Sequence, residues 1–281
     1  MDTPPLIDIS YFPGCSLATT SRESNQALIQ VCNHLGYRLV ELSDWNCCGS
    51  SSAHCIDANL AFQLACRNLS LAPQGRPLLV ACPSCSLRLR EAHHRLKTDS
   101  AAAGDFMRRW KRPVDTELDI VHFFELMDCK PAPEQQRSLA GLTFVPYYGC
   151  MLAQPPALRH QKNYHGLMER LLSAYGAVPL KWPYASRCCG TFLSASKPAV
   201  VEPMVSRIIQ GALEANAECI VTACAMCHLN LEIRYALPRK IPIFHFSELL
   251  AMAFNIQLKP GLFSRHMIDP RPLLRKKKLL G

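Results

Sequence analysis

Cysteine is the residue type in this sequence best able to do chemistry, and its placement is repeated. Cys15 is followed after 31 residues by the adjacent pair Cys47 and Cys48, and after 33 more by Cys82-x-x-Cys85. Cys150 is followed after 37 residues by Cys188 and Cys189, and after 34 more by Cys224-x-x-Cys227. Ten of the fifteen cysteines therefore fall into one C…CC…CxxC pattern used twice. A CxxC at a helix start brings two sulfurs within reach of one metal or cluster, and the helix N-terminus favours the thiolate. Redox pairs and zinc knuckles share that spacing, so the adjacent pair and the distant single cysteine carry the argument. A mononuclear zinc site normally closes with four ligands, so five thiols per half overfill it. A cluster of several irons accepts five, with the adjacent cysteines serving neighbouring irons. Gly49 and Gly190, directly after each pair, permit the sharp turn and close backbone approach this needs.

The rest of the composition agrees with that chemistry. The chain has 281 residues and 49% hydrophobic residues, enough for one large domain or two modest ones with a packed core. The start, MDTPPLIDISYFPGC, lacks the basic and apolar regions of a secretory signal. No stretch reaches the roughly 18 uninterrupted apolar residues of a membrane span, so a cytoplasmic location is expected. Cysteine clusters there bind metal or do redox chemistry more often than they form disulfide frameworks. The net charge of +9 is uneven, because Arg265 to Gly281 carry six basic residues against Asp269, a net of +5. That distribution argues against a nucleic-acid face spread over a domain, and the basic tail is expected to be solvated.

The text around the cysteines repeats as well. YFPGCSLA answers YYGCMLAQ, LLVACPSCSLRL answers IVTACAMCHLNL, and IVHFFELM answers IFHFSELL. The chain reads as an internal duplication joined near KPAPEQQRSLAG. Within each half an apolar strand (IDISYF, LTFVPYY) leads into the first cysteine, and an amphipathic helix follows (24–35, 164–175). A second strand (YRLVEL, VPLKW) runs into the CC pair. Another helix (53–71, 201–215) precedes a third strand (PLLVAC, CIVTAC) that delivers the CxxC to a further helix. Alternating strands and helices predict an α/β fold with a small, largely parallel sheet in each half, flanked by helices. Cysteines at the C-terminal ends of the strands then collect along one edge, where such folds place their ligands.

These two sequences resemble the CCG domains of the B-type subunits of heterodisulfide reductases, over almost the whole chain. The matching text includes YFPGC, DWNCCGSSSAH, ACPSC, YYGC, WPYASRCCG, ACAMCHLNLE and the tail RHMIDPRPLL. The resemblance implies a first CCG domain over 1–130, a linker over 131–141, a second CCG domain over 142–260 and the basic tail over 261–281. It implies two noncubane [4Fe-4S] clusters, one on Cys15, Cys47, Cys48, Cys82 and Cys85, the other on Cys150, Cys188, Cys189, Cys224 and Cys227. No catalytic residue beyond these ligands is implied. The sequence departs from the family in shorter segments between CC and CxxC, and in Ala225, which stands where a proline is usual.

The resemblance further implies a catalytic subunit that interconverts a disulfide and thiols in one-electron steps, or oxidises carrier-bound sulfur. The chain has no GxGxxG fingerprint and no ferredoxin-like run of cysteines. It is therefore expected to act with two partners of the family's complex, a flavin-containing A-type subunit and an iron–sulfur C-type subunit that relays electrons. Composition and Ala225 tilt the reading toward the sulfur-oxidising branch, in which a lipoate-binding protein is a further partner. Two rivals stand beside it. One is an electron-transfer or membrane-anchoring CCG subunit of a succinate or glycerol-3-phosphate dehydrogenase type. The other is a zinc-bound structural module, with zinc in one half as its milder form.

Other residues have simpler roles. Cys32, Cys55, Cys66, Cys129 and Cys219 lack repeat partners and are expected in the core. His54 follows the first CC pair and is placed either near a cluster or in polar packing. His122 and His245 recur before FFELM and FSELL, which favours a structural role at a strand-to-helix junction. Tyr11 with Tyr148, and Trp45 with Trp182, are expected to wall off the centres, since burial tunes cluster potential.

Overall fold

The computed structural model describes residues 5–50, 53–128, 138–152, 164–257 and 261–280. The first half runs β1 (Ile7–Phe12), α1 (Gly14–Ala18), α2 (Arg22–His34), β2 (Tyr37–Glu41), α3 (Ala53–Ile56) and α4 (Ala58–Leu69). It continues through β3 (Leu78–Val80), α5 (Pro83–Thr98), α6 (Ser100–Trp110), β4 (Ile120–Val121) and α7 (Phe123–Asp128). The second half runs β5 (Thr143–Tyr147), α8 (Leu167–Ser173), β6 (Val178–Pro179), a 3₁₀ turn at Thr191–Leu193 and α9 (Pro198–Glu214). After it come β7 (Cys219–Thr222), α10 (Ala225–Ile233), β8 (Ile243–His245), α11 (Phe246–Ala253) and, in the tail, α12 (Arg271–Lys276).

The strands form two sheets with orders β2-β1-β3-β4 and β6-β5-β7-β8, and every pairing is parallel. The expected duplicated α/β architecture is therefore present, with β4 and β8 as fourth strands beyond the three expected in each half. The central strands β3 and β7 are buried along their whole length, as parallel strands covered on both faces must be. In each sheet the chain leaves the first strand toward one edge and the third strand toward the other. The gap between those two strand ends is a topological switch point, the usual ligand crevice of an open parallel sheet.

One apolar core joins the halves. It takes Leu28 and Val31 from α2, Phe123 and Phe124 from α7, Met168 and Leu172 from α8, and Phe246, Leu249 and Leu250 from α11. Phe123 and Phe246 hold the same place in their repeats and pack on each other, with ring centroids 4.9 Å apart. Ser24 of α2 donates to Glu248 of α11 at 3.0 Å, and Ser247 donates back to the Ser24 carbonyl at 2.8 Å. Each half keeps a separate outer core on the other face of its sheet, which includes Cys48, Cys82 and Cys85 in one and Cys189, Cys224 and Cys227 in the other.

Several sequence expectations shift locally. The single helix expected over 53–71 is broken at Asp57, whose extended backbone lets its carboxylate accept from Leu60 N–H at 2.9 Å and start α4. Cys55 in the short α3 is consequently exposed, against the expectation of a core position, while Cys32, Cys66 and Cys219 are fully buried. Cys129 lies outside the described residues. VPLKW contributes only Val178 and Pro179 as strand, since proline has no N–H for the ladder. Of the expected linker, the described residues 138–141 pack: Leu139 is fully buried and Ser138 donates to the Ala253 carbonyl at 2.8 Å.

The basic tail is not simply solvated. Leu262, Phe263 and Leu274 are buried, Lys277 pairs with Glu218 at 2.7 Å, and Arg265 pairs with Glu23 at 3.0 Å. The tail has enough apolar residues to dock, and its charges stay at the rim. No described helix is long and apolar enough to cross a membrane.

Candidate metal centres

The motif cysteines sit where the switch-point argument puts them. Cys15 and Cys150 follow β1 and β5. Cys82 and Cys224 follow β3 and β7 as the residues that cap α5 and α10, both with extended backbone. Cys85 and Cys227 come in the first helical turn, and the CC pairs return from the loops after β2 and β6. Cys48 Sγ lies 3.1 Å from Cys85 Sγ, and Cys189 Sγ lies 3.4 Å from Cys227 Sγ. Cys15 hydrogen-bonds with Cys47, and Cys150 with Cys188. The Cys82 thiol is held down by its interactions with Cys224 across the junction and with Cys85 within its half. All ten candidate ligands thus form two groups of five that touch at one point.

Each group is buried on the inside and open on the outside. Cys48, Cys82, Cys85, Cys189, Cys224 and Cys227 are buried, whereas Cys15 and Cys188 are exposed. The thiols share protons among themselves. Hydrogen bonds from Cys47 and Cys85 hold Cys48 well below the ordinary thiol range, and one from Cys150 brings Cys188 down to about 6. Contacts with neighbouring cysteines and burial push the Cys85, Cys150 and Cys227 thiols up. Sulfurs gathered this closely are a donor set for soft cations, which take the place of the shared protons.

The backbone is shaped to the sulfurs. A Cβ on Gly14 would stand 2.8 Å from Cys85 Sγ, and one on Gly149 would stand 3.4 Å from Cys227 Sγ. Both glycines have positive φ, +71° and +69°, so no side chain suits either position. Gly49 and Gly190 also have positive φ, as the turn after each CC pair requires. The residues present therefore fit an iron–sulfur group in each half.

Different devices hold the two CC loops. In the first, Asn46 N–H donates to Asn68 Oδ1 at 2.9 Å, Asn68 donates back to the Asn46 carbonyl at 2.8 Å, and Arg67 donates to Asn46 Oδ1 at 2.8 Å. In the second, Asn230 of α10 donates to the Cys189 carbonyl at 2.8 Å, and the Tyr147 hydroxyl donates to the Arg187 carbonyl. Burial and the neighbouring Cys227, Cys189, Cys188 and Cys150 push the Tyr147 phenol far up. Sequence reasoning did not single out Tyr147 or Asn230, although both lie in the repeated text.

Strand register corrects one expected pair. Phe12 faces Val80 and Tyr147 faces Thr222, each two residues before a CxxC, so Phe12 and Tyr147 are equivalent and Tyr11 and Tyr148 are not. Trp45 packs edge-on to Phe12 with centroids 5.3 Å apart, and Trp182 packs on Tyr147 at 6.2 Å. The tryptophan pair is therefore matched in space. Tyr11 instead donates to Asn25 at 2.5 Å, and Tyr148 donates to Glu169. His54 contacts Cys55 Sγ at 3.5 Å. His122 and His245 are fully buried at the expected strand-to-helix junctions, where His122 bonds the Ala81 carbonyl at 3.0 Å and His245 bonds Ser247 at 2.8 Å.

A pocket lies against the second group. Cys150, Cys188, Cys224 and Cys227 line it together with Pro83 and Ser84, which begin α5 of the first half.

The chain is 28% identical over 283 residues to the 8-methylmenaquinol:fumarate reductase membrane anchor subunit of Wolinella succinogenes, covering 95% of this chain and 99% of that one. It is 23% identical over 267 residues to the B subunit of the ferredoxin:CoB-CoM heterodisulfide reductase of Methanosarcina mazei, covering 88% and 89%. A protein of Archaeoglobus profundus described as like the heterodisulfide reductase B subunit is 22% identical over 297 residues, covering 98% and 99%. Among solved structures, a hypothetical protein from Helicobacter pylori matches in fold with a TM-score of 0.75 at 11% identity. That match covers 95% of this chain and 53% of the other. Family and relatives together support a redox iron–sulfur subunit that works with other subunits. With the cysteine-rich domain model matched at residues 9–90 and again at 144–232, the chain belongs to the CCG family and carries its domain twice.

Proposed function

We propose that the chain is the catalytic subunit of a heterodisulfide-reductase-like complex. Cys15, Cys47, Cys48, Cys82 and Cys85 would hold one noncubane [4Fe-4S] cluster, and Cys150, Cys188, Cys189, Cys224 and Cys227 the other. Bound there, the clusters supply one-electron chemistry at sulfur, so that a disulfide is exchanged for two thiols or carrier-bound sulfur is oxidised. The observation that carries the reading is the junction itself, where Cys82 meets Cys224 and Pro83 and Ser84 face the second group across a shared pocket. A substrate with two sulfurs needs two adjacent redox sites, and this pocket is walled by both halves. Phe12 with Trp45, and Tyr147 with Trp182, pack in the same apolar clusters as the buried cysteines of their own group. Electrons would arrive through partners similar to the family's A-type and C-type subunits, and a lipoate-binding protein would present the sulfur in the oxidative branch.

A second reading rests on the relative from Wolinella succinogenes, whose name places it in a quinol:fumarate reductase. On that reading the two centres relay electrons and no substrate enters the pocket.

The experiment is anaerobic purification of the full chain, followed by iron and sulfide analysis and disulfide turnover with a reduced viologen. About eight irons with matching sulfide, and turnover lost in Cys189→Ser, support catalysis. About eight irons without turnover in the assembled complex favour the relay, and a folded chain holding zinc alone overturns both.

A further inference from the structure

We propose that His228, Glu232 and His266 hold a divalent metal ion of the zinc class, at a site separate from the ten motif cysteines. His228 and Glu232 are one helical turn apart on α10, and His266 arrives from the C-terminal tail. All three side chains are more than nine-tenths buried, with 9%, 2% and 3% exposure. His228 Nε2, Glu232 Oε1 and His266 Nδ1 are each buried without a hydrogen-bond partner. These three residues offer ligand atoms that lie within 4.8 Å of one another.

Their spacing suits a metal better than a hydrogen bond. His228 Nε2 is 3.6 Å from Glu232 Oε1, and His266 Nδ1 is 3.4 Å from the same oxygen. A tetrahedral ion with bonds of about 2.0–2.1 Å separates its ligand atoms by about 3.3–3.4 Å. The surroundings orient these atoms further. Glu248 Oε1 lies 3.3 Å from His266 Nε2, so a neutral His266 that donates its Nε2–H to Glu248 turns its Nδ1 lone pair inward. Glu232 Oε2 accepts the Met267 N–H at 3.0 Å, which leaves Oε1 for an ion. A carboxylate behind a ligating imidazole is the usual supporting arrangement at such sites.

Charge leads to the same ion. The first half has Arg90 at the position five residues past its CxxC, and that guanidinium pairs with Glu125 at 2.5 Å. At the equivalent position the second half has Glu232, so Glu232 and Glu248 bury two carboxylates where the first half buries one group of each sign. His266 lies between them, 3.4 Å from Glu232 and 3.3 Å from Glu248, and a dication held there would add positive charge where the two carboxylates converge. Three protein ligands leave a fourth position, and the site borders a pocket that Thr20 and Ser21 also line, open to a water ligand.

The test uses the anaerobically purified full chain with its iron in place, cleared of loose metal by mild chelation and titrated with Co²⁺ as a spectroscopic probe. The expected result is one equivalent bound, with ligand-field bands of a four-coordinate nitrogen and oxygen site and no sulfur-to-cobalt charge transfer. His266→Ala and Glu232→Gln should each weaken binding at least tenfold, with iron content and visible absorption unchanged. Glu248→Gln should weaken it by about 10–100-fold. No stoichiometric binding by the folded wild type overturns the proposal, and so does bound cobalt with sulfur ligands that persists in Glu232→Gln. Should the variants not fold, X-ray absorption of the wild type loaded with Zn²⁺ decides: nitrogen and oxygen ligands alone support the site, and sulfur excludes it. Iron and sulfide measured on the same samples judge the cysteine centres independently.

Discussion

Cys82 and Cys224, equivalent residues of the two repeats, interact with each other where the halves meet, one thiol pushed down and the other up. They are also buried, whereas Cys15 and Cys188 at the far side of each group are exposed. Substituting an inner cysteine should therefore disturb both groups, and substituting an outer one should disturb only its own. Cys82→Ser is expected to change the paramagnetic spectra of both centres in the reduced protein. Cys15→Ser should lower iron by about half at most and leave the second spectrum as it was. Electron paramagnetic resonance with iron analysis makes the comparison.

Gly14 presses on Cys85 more closely than any side chain allows, with a would-be Cβ at 2.8 Å and φ of +71°. Gly14→Ala is expected to cost about 1–2 kcal/mol in backbone strain alone and to displace Cys85. Iron at the first centre should fall while the second is retained. Gly75 has a similar φ of +70° with open space around it, so Gly75→Ala should show the strain in a urea melt without the loss of iron.

Arg90 and Glu125 form a largely buried ion pair at 2.5 Å, and Arg90 also donates to the Tyr164 hydroxyl at 2.6 Å. Arg90→Met leaves Glu125 as a buried charge without its guanidinium, and should cost about 3–5 kcal/mol in urea unfolding. Replacing both partners by methionine should cost less than Arg90→Met alone.

Burial lowers His122 to about 4 and His245 to about 3 from an ordinary 6.5. Both are neutral in the folded protein and become protonated more readily when unfolded. Their contribution is intact above pH 6.5 and is lost as the pH falls toward 4 and then 3, by roughly 1.4 kcal/mol per histidine per pH unit. Urea midpoints between about pH 7 and pH 5 should fall in the wild type, and His122→Asn should flatten the slope. A midpoint independent of pH in that window contradicts this account.

The cysteine register was legible because thiols at fixed spacing repeat in the text, and so was the sheet, because Leu78–Val80 and Cys219–Thr222 lie in apolar runs. The pairing of Tyr11 with Tyr148 failed because matching letters outweighed register. YFPGC has one more residue than YYGC between its first tyrosine and its glycine, and the sheet aligns Phe12 with Tyr147. The break at Asp57 was hidden in an otherwise helical stretch, and only its cap bond to Leu60 reveals it. The tail looked solvated because charge was counted over a window in which Leu262, Phe263 and Leu274 do the docking. No local pattern could show that His266 ends beside Glu232 and Glu248, since both lie on helices whose approach depends on the whole fold.

The contact between α2 and α11 bears on how the protein is made. Ser24 and the apolar face of α2 are covered by Glu248, Ser247 and the rest of α11, near the end of the chain. On the ribosome the first half emerges with that face bare and stays so until α11 has been translated. Its early sheet can form, but its cover arrives last, which makes the nascent first half a client for chaperones. The contact of Cys82 with Cys224 likewise forms only once the second half is in place.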